Sequence, residues 1–157
     1  METIIDAPRN LPDKLFNELL NLIKTRSPVD HNGLEGRLLR AEQVALQLDN
    51  GKVTTTATIK NPAASYKGKV FAAAGVFHEK NLYKREIGYI APDEKYEGQK
   101  LCQSLLTELL VTLHNKSIFA TTRDPAMMHI LGKFGFTKLG KEYNDSLVLM
   151  VRKAQPS

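Results

Sequence analysis

Between Arg85 and Asp124 the chain reads strand, helix, strand, and this succession constrains the fold more than any other stretch. Glu86-Ile87-Gly88-Tyr89-Ile90-Ala91 is a short apolar segment stopped by Pro92-Asp93. A helix is predicted next, from about Gly98 to Asn115, because Leu101, Leu105, Leu106, Leu109, Leu110 and Leu113 make one wide apolar face at helical spacing. Ser117-Ile118-Phe119-Ala120-Thr121 reads as a buried strand. Strands joined through a helix run parallel, by a right-handed crossover, so a parallel pair is expected here.

The first half demands the opposite arrangement. Val44 to Leu48 and Val53 to Ile59 flank Asp49-Asn50-Gly51-Lys52, and Asn-Gly supplies the two positive-φ residues of a type I′ turn. That hairpin is antiparallel. An amphipathic helix is expected from about Pro12 to Lys24, then loop chemistry from Ser27 to Gly33 and a short helix through Leu38-Leu39. Asn61-Pro62 ends the hairpin, and Tyr66 to Ala74 reads as a short helix closed by Gly75. Asp124-Pro125 is an N-cap followed by proline at the first helical position, opening a helix that Gly135 stops. Leu147 to Val151 is a last strand, and Ala154 to Ser157 a tail. The expected fold class is α/β, a mixed sheet with helices on both faces.

With 157 residues, 42% hydrophobic and 25% charged, the chain has the composition of an ordinary globular protein, and one domain spanning 1–157 is expected. Val70 to Val76 is the longest apolar stretch, far short of the roughly 20 residues of a membrane helix. Met1 to Asp6 lacks the basic start and apolar run of a signal peptide. One cysteine, Cys102, permits neither an internal disulfide nor a cysteine-rich zinc site. A reduced, cytoplasmic protein with no membrane partner is expected. The net charge of +5 favours anionic partners, but the basic residues are scattered and no nucleic-acid motif accompanies them.

The sequence holds no phosphate loop, dinucleotide fingerprint or nucleophile elbow. Its four histidines show no metal-ligand spacing, so no metal is expected. Cys102 falls in a helix's first turn, where a thiol pKa can drop, although a buried packing role is the ordinary reading. What remains is the junction Tyr96-Glu97-Gly98-Gln99-Lys100-Leu101-Cys102. The N–H groups of a helix start attract anions, and Lys95 and Lys100 add charge.

From Arg85 to Lys153 the chain resembles the GNAT superfamily of N-acyltransferases, which use acetyl-CoA. The resemblance rests on three pieces in order: Glu86 to Ala91 running into Glu97 to Cys102; Ile118 to Thr121 with Asp124 to Phe136, a helix closing on Gly-Phe; and Leu147 to Val151. It implies a single-domain, mostly antiparallel sheet with a central splayed parallel pair, ending near Ala91 and Thr121. It also implies that the pantetheine arm of acetyl-CoA, the co-substrate, pairs with backbone at Ile90, Ala91 and Pro92. Its pyrophosphate would sit on the N–H groups of Gly98, Gln99, Lys100, Leu101, Cys102 and Gln103, with Asp124 nearby. The family pattern Gln/Arg-x-x-Gly-x-Gly/Ala is filled here by Glu97, Lys100 and Cys102. Lys100 is placed to meet a phosphate directly.

Glu86 lies eleven residues before Glu97, the spacing at which many family members carry a glutamate acting as general base. An attacking ammonium must lose its proton, and a half-buried carboxylate can take it. The ordinary alternative is a strand-end glutamate paired with Lys84 or Arg85. Where many members place a tyrosine that protonates departing CoA, this chain has Leu131. Tyr143 and Tyr89 are the substitute donors to consider, or else cleft-wall aromatics. The resemblance implies transfer of an acetyl group to a primary amine on a small molecule, a protein or a charged tRNA. The altered loop keeps a rival open: a GNAT-like fold that binds nucleic acid or a protein without catalysis.

Overall fold

The structure, a computed structural model, describes residues 1–27, 29–98 and 100–155. Pro28, Gln99, Pro156 and Ser157 lie outside the described residues, and with them the expectations for the loop at 28, the anion site at 99 and the last two tail positions.

The strands are β1 (Glu2–Asp6), β2 (Gln43–Asp49), β3 (Lys52–Lys60), β4 (Arg85–Pro92), β5 (Ile118–Thr122), β6 (Thr137–Lys138) and β7 (Val148–Arg152). The α-helices are α1 (Asp13–Arg26), α2 (Leu34–Leu39), α3 (Ala64–Ala73), α4 (Leu101–Val111) and α5 (Pro125–Lys133). The strands form one seven-stranded mixed sheet in the order β1-β2-β3-β4-β5-β7-β6. The expected parallel pair is present: β4 runs parallel to β5 through Arg85↔Ile118 and Glu86↔Phe119.

The chain forms two compact units, Met1–Lys60 with Ile87–Val111, and Asn61–Glu86 with Thr112–Ser157. In the first, Asn50 and Gly51 take φ of 51° and 80°, as a type I′ turn demands, and β2 pairs antiparallel with β3. Every residue from Val44 to Leu48 and from Val53 to Ile59 is buried, so both faces of this hairpin are covered. Both α1 and α4 pack against β3. From α1, Phe16, Leu19, Leu20, Leu22 and Ile23 fill a core with Leu34, Leu38, Val44, Leu46 and Tyr89. Burying each such side chain contributes about 1.5–3 kcal/mol.

The predicted helix from Gly98 to Asn115 is shorter than expected. It starts at Leu101 because Gly98 and Lys100 hold φ of 82° and 59°, left-handed values that a right-handed helix does not accept. It ends at Val111, where a β-branched pair with Thr112 gives way to a turn closed by Lys116 N–H on Leu113 O. Leu113 is still buried, so the leucine spacing marked burial beyond the helix itself.

The second unit is built around aromatics. Phe71 of α3 stacks on Tyr83 at 5.9 Å and meets Phe119 edge-on at 5.3 Å. Val70, Ala74, Leu149 and Val151 complete this core. Asp124 caps α5 as expected, its carboxylate accepting from Ala126 N–H at 2.9 Å. The adjacent strands β3 and β4 are joined through α3 and a 3₁₀ segment, Phe77–Leu82, where roughly two to five residues suffice for a hairpin.

Candidate active site

Glu86 stands on β4 opposite Phe119 of β5 and is 2% exposed. A buried carboxylate needs hydrogen-bond donors. One is Tyr66, whose hydroxyl donates to Glu86 Oε2 at 2.8 Å. Tyr66 shares the inward face of α3 with Val70, one turn on, so docking of Phe71 and Val70 carries the phenol to the carboxylate. Burial of the hydroxyl, and then the Glu86 charge, push the Tyr66 pKa far above that of a free phenol. Thr121 of β5, beside the hydroxyl, works against that rise. The ring itself stays 40% exposed.

Tyr143 lies between β6 and β7. It is bridged to Leu147 around Asn144, Asp145 and Ser146, three successive residues at positive φ. Arg123 holds this loop, its Nη2 donating to Asn144 O at 3.0 Å. The Tyr143 hydroxyl is buried without a hydrogen-bond partner. Burial first, then the Glu86 charge, push its pKa up to about 12, with Arg123 opposing. The second unit therefore gathers a buried carboxylate, a phenol bonded to it and a second neutral phenol within its field. Such a set can accept one proton and donate another.

The expected anion site belongs to the first unit. Within β4, Tyr89 holds φ of 50°, a left-handed value that departs from the extended strand and re-aims the backbone of the residues after it. Its ring is buried in the first core, with Lys60 Nζ 4.2 Å from the centroid. Ile90 and Pro92 are half-buried and Ala91 is buried. The first helical bond of α4 runs from Ser104 N–H to Lys100 O, so the N–H groups of Leu101 and Cys102 precede the helix's own ladder. Gly98 and Lys100 are exposed, while Leu101, Cys102 and Gln103 are half-buried. Glu97, whose charge opposes an anion at this turn, is bonded at 2.8 Å to Arg26, and Arg26 Nε also donates to Pro92 O at 3.2 Å. The turn thus presents helix-start N–H groups and an exposed lysine, and its acidic residue is neutralised. These residues suit a pyrophosphate.

A groove of about 440 Å³ in the same unit is lined by residues of α1 with Lys52, Val53 and Asp93 to Lys95. Two of its carboxylates are engaged in structure: Glu18 accepts from Val53 N–H, and Asp93 accepts from Lys95 N–H. Among the described residues no group of acidic, histidine or cysteine side chains could hold a metal, and no helix is long and apolar enough to cross a membrane.

The possibility of a reactive Cys102 is not supported. Burial pushes its thiol up to about 11, outweighing the helix start. Alkylation by iodoacetamide at pH 8 is expected to run about 100-fold slower than for a free cysteine, because the thiolate fraction falls by that order. Stopped aliquots followed by mass spectrometry measure it.

No family model and no curated protein matches the chain. Solved structures do. Escherichia coli ElaA superposes with a TM-score of 0.72 at 18% identity, over 97% of this chain and 99% of that one. An acyl-CoA N-acyltransferase from Pseudomonas aeruginosa gives 0.71 at 15%, over 96% and 98%. A GNAT-family acetyltransferase from Streptococcus agalactiae gives 0.65 at 16%, over 99% and 96%. The chain has the GNAT fold. The likeness covers nearly its whole length, including the half before Arg85 that the sequence motifs did not reach. The connection between β3 and β4, made of α3 and its 3₁₀ segment, supplies Tyr66. Sequence reasoning missed Tyr66. The sequence marks it only as the start of a short helix, and nothing there ties it to a carboxylate 20 residues later.

Proposed function

We propose that the chain, working as one domain over 1–157, is an N-acyltransferase. It moves an acetyl group from acetyl-CoA to a primary amine by direct attack on the thioester. The observation that carries this reading is Glu86, a buried carboxylate on the parallel strand of a GNAT fold, hydrogen-bonded to a phenol. The acyl donor would lie along Ile90, Ala91 and Pro92, with its pyrophosphate on the N–H groups at the start of α4 and on Lys100. The re-aimed backbone after Tyr89 and the short described ladder at Arg85 and Glu86 support that placement. Glu86 serves as the base. Tyr143, neutral and unpartnered, is the group with a proton to give the departing thiolate. Asp124 is committed to capping α5, so its part near the donor is limited to its backbone. The acceptor is an amine of a small molecule, a protein or a charged tRNA, met in the cytoplasm.

A second reading is a non-catalytic module that binds nucleic acid or protein. Leu131, buried where many relatives have a tyrosine, and the exposed Lys100 favour it. Calorimetric titration with acetyl-CoA, with CoA and desulfo-CoA as controls, separates the two. Micromolar binding is expected. Absence of heat and of a thermal shift at millimolar donor would overturn the acyltransferase reading in favour of the second.

A further inference from the structure

The carboxylate assigned as base is shut away from solvent, and the buried hydroxyl bonded to it belongs to a residue that still reaches the surface. Glu86 is 2% exposed and Tyr66 as a whole 40%, with 2.8 Å between Tyr66 Oη and Glu86 Oε2. A path from solvent to Glu86 along this side passes Tyr66. The phenol oxygen donates to Glu86, and a hydroxyl oxygen keeps two lone pairs with which it can accept a substrate N–H. Phe71, locked between Tyr83 and Phe119, fixes the helix that carries it. Positioned hydroxyls of this kind transfer protons without ever holding net charge.

We infer that Tyr66 is a catalytic residue, the relay through which the substrate's proton reaches Glu86. The inference rests on the acyltransferase reading above and names the group that touches the amine. The amine reacts as its free base, the ammonium proton having gone to solvent. As nitrogen bonds to the thioester carbon, the nitrogen loses a proton to Tyr66 Oη. In the same motion the Tyr66 proton passes to Glu86 Oε2. The carbon–sulfur bond then breaks and its electron pair leaves on CoA as thiolate. Glu86 ends neutral, Tyr66 ends as it began, and the amide, one carboxylic acid and the thiolate, before Tyr143 gives it a proton, account for every proton and charge. The proton on Glu86 returns by the same path to solvent before the next turnover.

The test uses the intact chain with acetyl-CoA and three acceptors: a diamine, an amino sugar and a peptide with a free N-terminus. Tyr66→Phe keeps the ring that packs and removes only the hydroxyl. A fall in kcat of at least 30-fold is expected on the best acceptor, with KM for acetyl-CoA within twofold. Wild type should show a curved dependence of kcat on deuterium fraction, the signature of two protons in flight, whereas Tyr66→Phe should show a linear one. Adding Tyr66→Phe to Glu86→Gln should cost little further, since both break one path. A Tyr66→Phe variant within twofold of wild type in kcat, or losses that multiply in the double variant, overturns the relay and leaves the acyltransferase reading standing. If wild type binds no acetyl-CoA and turns over no acceptor, that reading falls and takes the relay with it. Thermal unfolding of each variant checks the fold. Spectrophotometric phenol titration gives a readout besides turnover: one high-pH tyrosine should vanish in Tyr66→Phe and titrate lower in Glu86→Gln.

Discussion

Glu86→Gln is expected to fold normally and to lose about 100- to 10,000-fold in kcat, the range that removal of a general base covers. The amide has the shape of the carboxylate and still accepts from Tyr66, so the hydrogen bond at 2.8 Å survives with its neutral partner. What disappears is the capacity to hold a proton. The donor-binding positions along Ile90 to Pro92 and at the start of α4 are untouched, so KM for acetyl-CoA should stay within about twofold. The field on Tyr143 changes in a known direction. Glu86 raises that phenol, which sits at about 12, and the neutral amide lets it fall towards the ordinary value. Steady-state kinetics, with the melting temperature as a fold control, decide the matter. Retention of activity within threefold would remove Glu86 from the reaction and return it to the role of a buried structural carboxylate.

Gly140→Ala is expected to be the most damaging single methyl group in the protein. A Cβ at this position would lie 2.2 Å from the carbonyl oxygen of Ala74, and backbone, unlike a flexible side-chain tip, has nowhere to retreat. The residue also holds φ of 74°, which an L side chain adopts only at a cost. The next residue explains why the backbones meet so closely: Lys141 N–H donates to that same Ala74 oxygen at 2.9 Å, satisfying a carbonyl at the end of α3. Strain and overpacking together are expected to destabilise by about 2–5 kcal/mol. Chemical denaturation measures it. Because the contact ties α3 to the loop bearing Tyr143, activity should fall further than in a surface control of equal stability. A loss below about 0.5 kcal/mol, the ordinary size of a surface change, would show that the loop slides aside freely.

Much of this architecture was legible in the sequence where local chemistry permits only one answer. Asn50-Gly51 specifies its turn by demanding two positive φ values, and Asp124-Pro125 specifies a helix start by supplying a cap and a pre-set φ. The parallel pair followed from a strand–helix–strand order. Elements that exist only through a partner escaped. β1 has few apolar residues of its own and becomes a strand because Glu2 to Asp6 pair with Val44 to Leu48. β6 is two residues drawn onto β7. At the site, Glu86 and Tyr143 were visible as residue types at telling positions. Tyr66 was not, because its meaning arises from where α3 docks, and docking is set by Phe71, Tyr83 and Phe119 together. At Cys102 the ordinary packing reading agrees with the structure, where burial outweighs the helix start.

Neither compact unit is a continuous piece of chain. The first takes Met1–Lys60 and Ile87–Val111, the second Asn61–Glu86 and Thr112–Ser157, so the polypeptide alternates between them as it is read. During synthesis the hairpin of β2 and β3 emerges early, but the first unit waits for Val111 and the second for the last strand, β7. Tyr66 and Glu86 leave the ribosome well before Thr121 and Tyr143, which complete their surroundings. A nascent chain halted after α4 would carry the proposed base with half its walls missing. Chemistry at this site is thereby deferred until β7 has emerged, and no single cut of the polypeptide separates the two units.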